Sequence, residues 1–236
     1  NSFGDGDKVQ IKFPKGSITK DAGYFELHGG VVTLHANAST AITINGVLIK
    51  DAVIFHPDST GRPVICSYGN LRWTIIKRDD KIGIRLRDVK SDLVRNFTTI
   101  PYYTIDSSFK VSAYLKTSAD NYSISIKNVI GQTNQEKTPG KLVFKLHGTE
   151  YTLDALEEGN QLFVIFGDAT SGKETYPAGR FLYAAKPDTN GYTVLDFNKA
   201  YNPPCAFTPY ATCPIPPPQN ILPIAITVGE KNYGQH

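Results

Sequence analysis

The chain has 236 residues, 20% of them charged and 11% aromatic, with a formal net charge of +3. This length allows one large β domain or two lobes that bury cores without staples, and the apolar content excludes wholesale disorder. No run of about 18 apolar residues occurs, so nothing reads as a membrane-spanning helix.

Asn1–Asp7 is polar and glycine-containing, and reads as a spacer that could follow a removed signal or lipid-anchor sequence. Short apolar or alternating runs then predict strands at Val31–Leu34, Ala41–Ile44, Ala52–Phe55, Trp73–Ile76, Phe109–Leu115, Tyr122–Ile126 and Leu162–Phe166. Hairpin turns are expected at Asn45-Gly46, Asp79–Gly83 and Asp188–Gly191, where positive φ is cheap. Helical periodicity is confined to a single turn near Asp154–Glu158. Leu71–Arg95 holds eight Lys or Arg against four Asp, but the acids interleave the bases without a DNA- or RNA-binding signature, and no nucleic-acid partner is expected.

Phe25, Leu27, His28, Gly29, Thr33, Leu34 and Ala36 recur at constant offset as Phe144, Leu146, His147, Gly148, Thr152, Leu153 and Ala155. Val53-Ile54-Phe55 likewise recurs as Val164-Ile165-Phe166. The expected fold is therefore all-β: two related β units, a tandem pseudo-repeat packed as sandwich or barrel, with an extended Pro-rich C-terminal arm. The boundaries are an N-terminal spacer and first strand at 1–19, the first unit with linking strands at 20–127, a polar connection at 128–140, the second unit at 141–199, and the arm and tail at 200–236.

Gly167-Asp-Ala-Thr-Ser-Gly-Lys173 follows a strand and nearly reads as a phosphate loop, but Glu174 stands where Ser or Thr should bind magnesium, and Pro177 and Gly179 break the helix the loop needs. It is read as a β-turn. His28 and His147 precede a glycine in each copy and are read as turn-flanking residues, while His35, His56 and His236 lack metal spacing, so no metal site is expected. No Gly-x-Ser-x-Gly elbow is present. Cys66 sits in an apolar strand and reads as a buried free thiol.

Ala200–Gly229 contains no Asp, Glu, Lys or Arg and eight prolines. A solvated loop of that length would carry charges, so the interleaved Tyr201, Phe207, Tyr210, Ile221, Leu222, Ile224 and Ile226 predict packing across the β core, either sealing sheet edges or lining a pocket. Within it, Cys205 and Cys213 are separated by seven residues. In an exported protein a local disulfide leads, followed by two reduced thiols and, last, a metal pair lacking further ligands. Candidate ligand-binding residues are Arg180, Asp196, Asn198, Tyr201, Asn202, Phe207 and Tyr210, with an ordinary Arg180–Asp196 ion pair as the alternative for those two.

Asp196-Phe-Asn-Lys-Ala-Tyr-Asn-Pro-Pro-Cys-Ala-Phe-Thr-Pro-Tyr-Ala-Thr-Cys-Pro-Ile-Pro-Pro-Pro-Gln-Asn220, continuing to Gly229-Glu230-Lys231, closely resembles the domain of unknown function 1684 family, as do Leu71-Arg72-Trp73, Ile84–Asp88 and Tyr176–Leu182. Ile100-Pro101-Tyr102-Tyr103 departs from the family pattern of Phe-Pro then Asp. The resemblance implies a bacterial protein, often exported or lipid-anchored, with no established activity. Its superfamily grouping with flavin-binding split barrels makes a flavin the natural cofactor hypothesis, with Arg72, Arg85, Arg87 and Arg180 to meet a phosphate. The leading expectation is a non-catalytic ligand-binding or scaffold module in the periplasm, at the cell surface or secreted, contacting a small molecule or carbohydrate. A flavin- or other cofactor-binding enzyme is the alternative function, and the cytoplasm the alternative location.

Overall fold

The computed structural model describes residues 1–78, 80–118 and 122–234, so Asp79 of the expected 79–83 turn and His236 lie outside the described residues. The chain is largely β and splits into two compact units, Asn1–Phe97 and Thr98–His236.

The first unit contains β1 (Ser2–Gly4), β2 (Ile11–Lys12), β3 (Gly23–His28), β4 (Val31–Ala36), β5 (Thr43–Ile44), β6 (Val47–Leu48), β7 (Asp51–Phe55), β8 (Cys66–Tyr68), β9 (Leu71–Arg78) and β10 (Lys81–Asp88). They form two five-stranded sheets, ordered β2-β1-β3-β4-β7 and β10-β9-β8-β5-β6. Alternation drives the packing: Phe25, Leu34, Cys66, Leu71, Trp73 and Ile75 point inward, joined by Ile82, Ile84 and Leu86 from β10. Phe3, expected in a polar spacer, is wholly buried; its ring lies 4.4 Å from Phe25, and Phe13 meets Trp73 edge-on at 5.5 Å. The N-terminal residues therefore belong to this core. Asn45 and Gly46 adopt φ of 50° and 81° in the expected β5–β6 turn.

The second unit contains β11 (Lys110–Thr117), β12 (Ser123–Lys127), β13 (Thr133–Lys137), β14 (Gly140–Leu146), β15 (Thr149–Glu158), β16 (Gln161–Phe166), β17 (Arg180–Ala185) and β18 (Tyr192–Asp196). Six strands form one sheet, ordered β17-β16-β15-β14-β11-β18, and β12 pairs with β13. Lys110–Thr117, expected to link the units, is thus an inner strand of the second. The sheet nearly closes into a barrel. Its edge strands meet not through a ladder but through a side chain, Thr193 Oγ1 donating to the Ala185 carbonyl at 2.8 Å.

Three expectations are corrected. The Asp154–Glu158 helical turn is the end of β15, whose Leu153 and Ala155 are fully buried. The described α-helix is instead Asp92–Arg95, with Ser91 Oγ accepting the Val94 amide. The tandem repeat does not carry into the fold. The sheets differ in order, and the hairpins match one residue away from the sequence offset: His28 ends β3 opposite Val31, whereas His147 sits in the turn with φ of 49°.

Nor is 200–229 an independent extended arm. It consists of short turns and isolated bridges, and it places Ala200, Leu222, Ile226 and Val228 in the same core cluster as the six-stranded sheet. β15 and β16 pair only from Leu156–Glu158 to Phe163–Gln161, and where they part the Asn220 amide bridges them. It accepts from the Asp154 amide at 2.7 Å and donates to the Asp154 and Ile165 carbonyls at 2.9 Å each.

Candidate functional site

Two polar constellations arise in the second unit, one buried and one open. At the start of β17, Arg180 is 1% exposed. Its Nη2 donates to Asp168 Oδ2 at 2.9 Å and the Ile226 carbonyl at 2.8 Å, and its Nη1 to the Val228 and Glu230 carbonyls at 2.6 and 3.3 Å. In an extended chain alternate carbonyls share a side, so one planar guanidinium serves residues 226, 228 and 230 together. Asp168 Oδ1 in turn accepts from the Thr170 amide and hydroxyl and from the Ile226 amide. Gly167–Lys173 is the turn that presents this carboxylate: the Thr170 carbonyl accepts the Lys173, Glu174 and Thr175 amides, and no helix follows. Asn202 joins the same buried group, its amide donating to Glu230 Oε2 at 2.7 Å and its side chain to the Lys231 carbonyl. Tyr102 donates to the other oxygen of Glu230.

Among the described residues Arg180 forms its ion pair with Asp168, not with Asp196, which lies opposite Lys110 in the β11–β18 ladder. Both Nη atoms of Arg180 are taken up by Asp168 and three backbone carbonyls in a site only 1% exposed, which does not fit the phosphate role implied by a flavin. Arg72, Arg85 and Arg87 lie in the first unit on β9 and β10, with Arg72 opposite Arg87. Arg72 Nη1 donates to the Gly69 and Leu71 carbonyls.

The open constellation lies along the barrel seam, a groove of about 530 Å³ lined by Lys110, Gln161, Tyr183, Asp196, Lys199 and Tyr201. Its position follows from ladder geometry. Phe181 exchanges two backbone hydrogen bonds with Tyr201 on the free edge of β17, at 2.9 and 3.0 Å, and the Ala185 carbonyl accepts Thr193 there. Alternation then aims the amide and carbonyl of Tyr183 at the same edge, where they meet no partner among the described residues. The rings of Tyr183 and Tyr201 lie nearly parallel, 11° apart with centroids at 6.2 Å, backed by Phe163 and Phe181. Tyr183 donates to Glu158 Oε2 at 2.6 Å. Burial raises the pKa of both phenols, helped at Tyr183 by that bond, so both stay neutral in ordinary buffers.

Of the residues selected from sequence, Asp196 and Tyr201 converge on this groove. Asn198 Nδ2 donates to Asp196 Oδ1 at 3.0 Å and to the Asp106 carbonyl at 2.9 Å, fixing the carboxylate. Phe207 packs on Tyr233 at 5.1 Å, and Tyr210 is 89% exposed. Lys110, Gln161, Tyr183 and Lys199 were not singled out from sequence. Strand alternation places Tyr183 on the face of Phe181, but nothing local marks the seam.

Cys205 and Cys213 share an apolar cluster with Ile124, Ile126, Ile165 and Phe181. The Cys205 amide donates to Cys213 Sγ at 3.1 Å. The hydrogen bond with the Cys213 thiol brings the Cys205 pKa down to about 6 against the opposing effect of burial, with Tyr176 assisting; burial alone pushes Cys66 up to about 12. No group of three metal-ligating side chains occurs among the described residues.

The second unit is thus a nearly closed β-barrel with an open groove at its seam, lined in part by Tyr183 and Tyr201. The chain belongs to the family described as protein of unknown function (DUF1684), which it matches over residues 95–231. A solution NMR structure of an uncharacterized protein from Haloarcula marismortui is similar over 60% of this chain and 80% of that chain, with 29% identity and a TM-score of 0.49. No curated protein matches.

Proposed function

We propose that the second unit is a non-catalytic binding module that holds a small, hydroxyl-rich ligand, a carbohydrate in chemical class, in the seam groove. The observation that carries this reading is the unpaired edge of β17. Between Phe181 and Ala185 a backbone donor and acceptor face a cleft whose lining includes two near-parallel tyrosine rings and Lys110, Lys199, Asp196 and Gln161. Flat aromatic faces take the apolar face of a sugar ring, and a few convergent polar groups orient its hydroxyls. This reading goes with an extracytoplasmic location, where the adjacent Cys205 and Cys213 would close as a disulfide and fasten the turn at 203–207 to the segment that pairs with the end of β12.

Titrating labelled protein with neutral and acidic oligosaccharides, and following amide and tyrosine resonances, tests the proposal. Saturable shifts at Tyr183, Lys199 and Tyr201 are expected, with affinity falling at least about tenfold in Tyr201→Ala, a loss near 1.4 kcal/mol. If no saccharide at millimolar concentration moves these resonances, the reading is wrong.

A further inference from the structure

We infer that the first unit docks on an anionic lipid surface through the outer face of its sheet β10-β9-β8-β5-β6. The register places one cross-strand row, Leu48, Thr43, Ser67, Arg72 and Arg87, on a single face, because directly paired residues share a side. The next rows on that face pair Thr74 with Arg85, Ile76 with Gly83, and Arg78 with Lys81. Five cations, Arg72, Arg78, Lys81, Arg85 and Arg87, thus share one face over about 20 Å of strand. Asp88 is the one carboxylate of these five strands among the described residues, and it lies opposite Leu71 on the core face.

Folding stability does not ask for this arrangement. Arg72 opposite Arg87, and Arg78 opposite Lys81, put like charges where cross-strand pairs repel. Arg78, Lys81, Arg85 and Arg87 are exposed, and none forms an ion pair among the described residues. A sheet face offers its charges in a plane rather than in a cleft, which suits a planar anionic partner. At the opposite edge of the same sheet, Val47 and Leu48 stand 67% and 66% exposed. Leu48 ends the row that begins at Arg87, so apolar contact and cationic attraction fall on one face, the combination that holds a protein at a lipid headgroup layer. The exposed Leu48 at the end of the cationic row offers apolar contact that a phosphate backbone does not use and a lipid layer does, which favours lipid over nucleic acid.

Flotation of the full chain with phosphatidylcholine vesicles, with and without about a third phosphatidylglycerol, tests the inference. Binding is expected only to the anionic vesicles and should fall as salt shortens the screening length. The double variant Arg85→Ser/Arg87→Ser should partition about thirty-fold more weakly, and Leu48→Ser should weaken binding while leaving the salt dependence in place. Buried Trp73 faces the core, so unchanged Trp fluorescence confirms that each variant is folded. Equal partition of wild type and the double variant, equal binding to neutral vesicles, or capture by heparin or duplex DNA without vesicle binding would each overturn the inference. None of these outcomes bears on the seam groove, whose test uses different residues and a different ligand.

Discussion

Breaking the Asp168–Arg180 pair from either side strands a charge that solvent cannot reach, since both side chains are at most 1% exposed. Asp168→Ala is expected to destabilise the second unit by about 3–5 kcal/mol in urea denaturation, because the guanidinium keeps three carbonyl partners but loses its countercharge. A loss below about 1 kcal/mol would show that water enters the site. Arg180 was legible in the sequence as a residue to test, but its partner was not: Asp168 and Asp196 are both carboxylates near β17 in the chain, and only the turn at 167–173 decides between them. The cysteines allow a sharper check. In the reduced protein, Cys205 alkylation should rise through pH 6 and level off above about pH 7, following the thiolate fraction of a thiol lowered to about 6. Cys66, raised to about 12 and fully buried, should stay unmodified until the chain unfolds. A Cys205 profile centred near pH 8.5, the ordinary thiol value, would remove the role given to the Cys213 contact.

At the scale of elements, strands were readable where a short, largely apolar run is rich in β-branched and aromatic residues: Leu162–Phe166 and Trp73–Ile76 fall inside β16 and β9, and β16 is apolar throughout because both of its faces pack. Asp154–Glu158 misled for a definable reason. Ala155, Leu156, Glu157 and Glu158 favour helix locally, but pairing with β14 and β16 supplies more than propensity does. The apparent duplication misled differently, since similar residues around a tight turn recur in unrelated hairpins while register is set by the turn itself. Asn220 shows what a loop residue can contribute to a sheet, filling the place of a ladder where β15 and β16 part. Asn220→Ala should leave the Asp154 amide and two carbonyls without partners and cost at least about 2 kcal/mol. The Asp154 amide should then lose its protection in hydrogen exchange, and unchanged protection would show that a water takes over the bridge.

For the whole molecule, the family match at 95–231 and the structural unit at 98–236 nearly coincide, while every member of the cluster around Phe3, Leu34 and Trp73 lies before residue 97. Composition instead marks a connection at 128–140. That stretch is polar and holds Gly131, Pro139 and Gly140, but it contains β13 and the start of β14, and a hairpin turn looks like a linker when its partner strand cannot be seen. A domain boundary is a statement about which residues pack together over long separations, and local composition reports that only indirectly. The seam groove was hidden for the same reason: Lys110 and Lys199 meet Tyr183 only once the six-stranded sheet has curled. If the second unit has its own core, residues 98–236 expressed alone should unfold cooperatively, keep β-rich circular dichroism and retain the tyrosine resonances of the groove. The 139-residue fragment is long enough to bury most of its apolar surface, and its core draws on Phe109 and Ala113 at one end and Ile226 and Val228 at the other. Ending the fragment at residue 199 removes Leu222, Ile226, Val228 and the carbonyls that Arg180 serves, and should leave a molten or aggregated chain. Should the shortened fragment fold as well as the longer one, the charge-free C-terminal segment would be a covering on the barrel rather than part of its core.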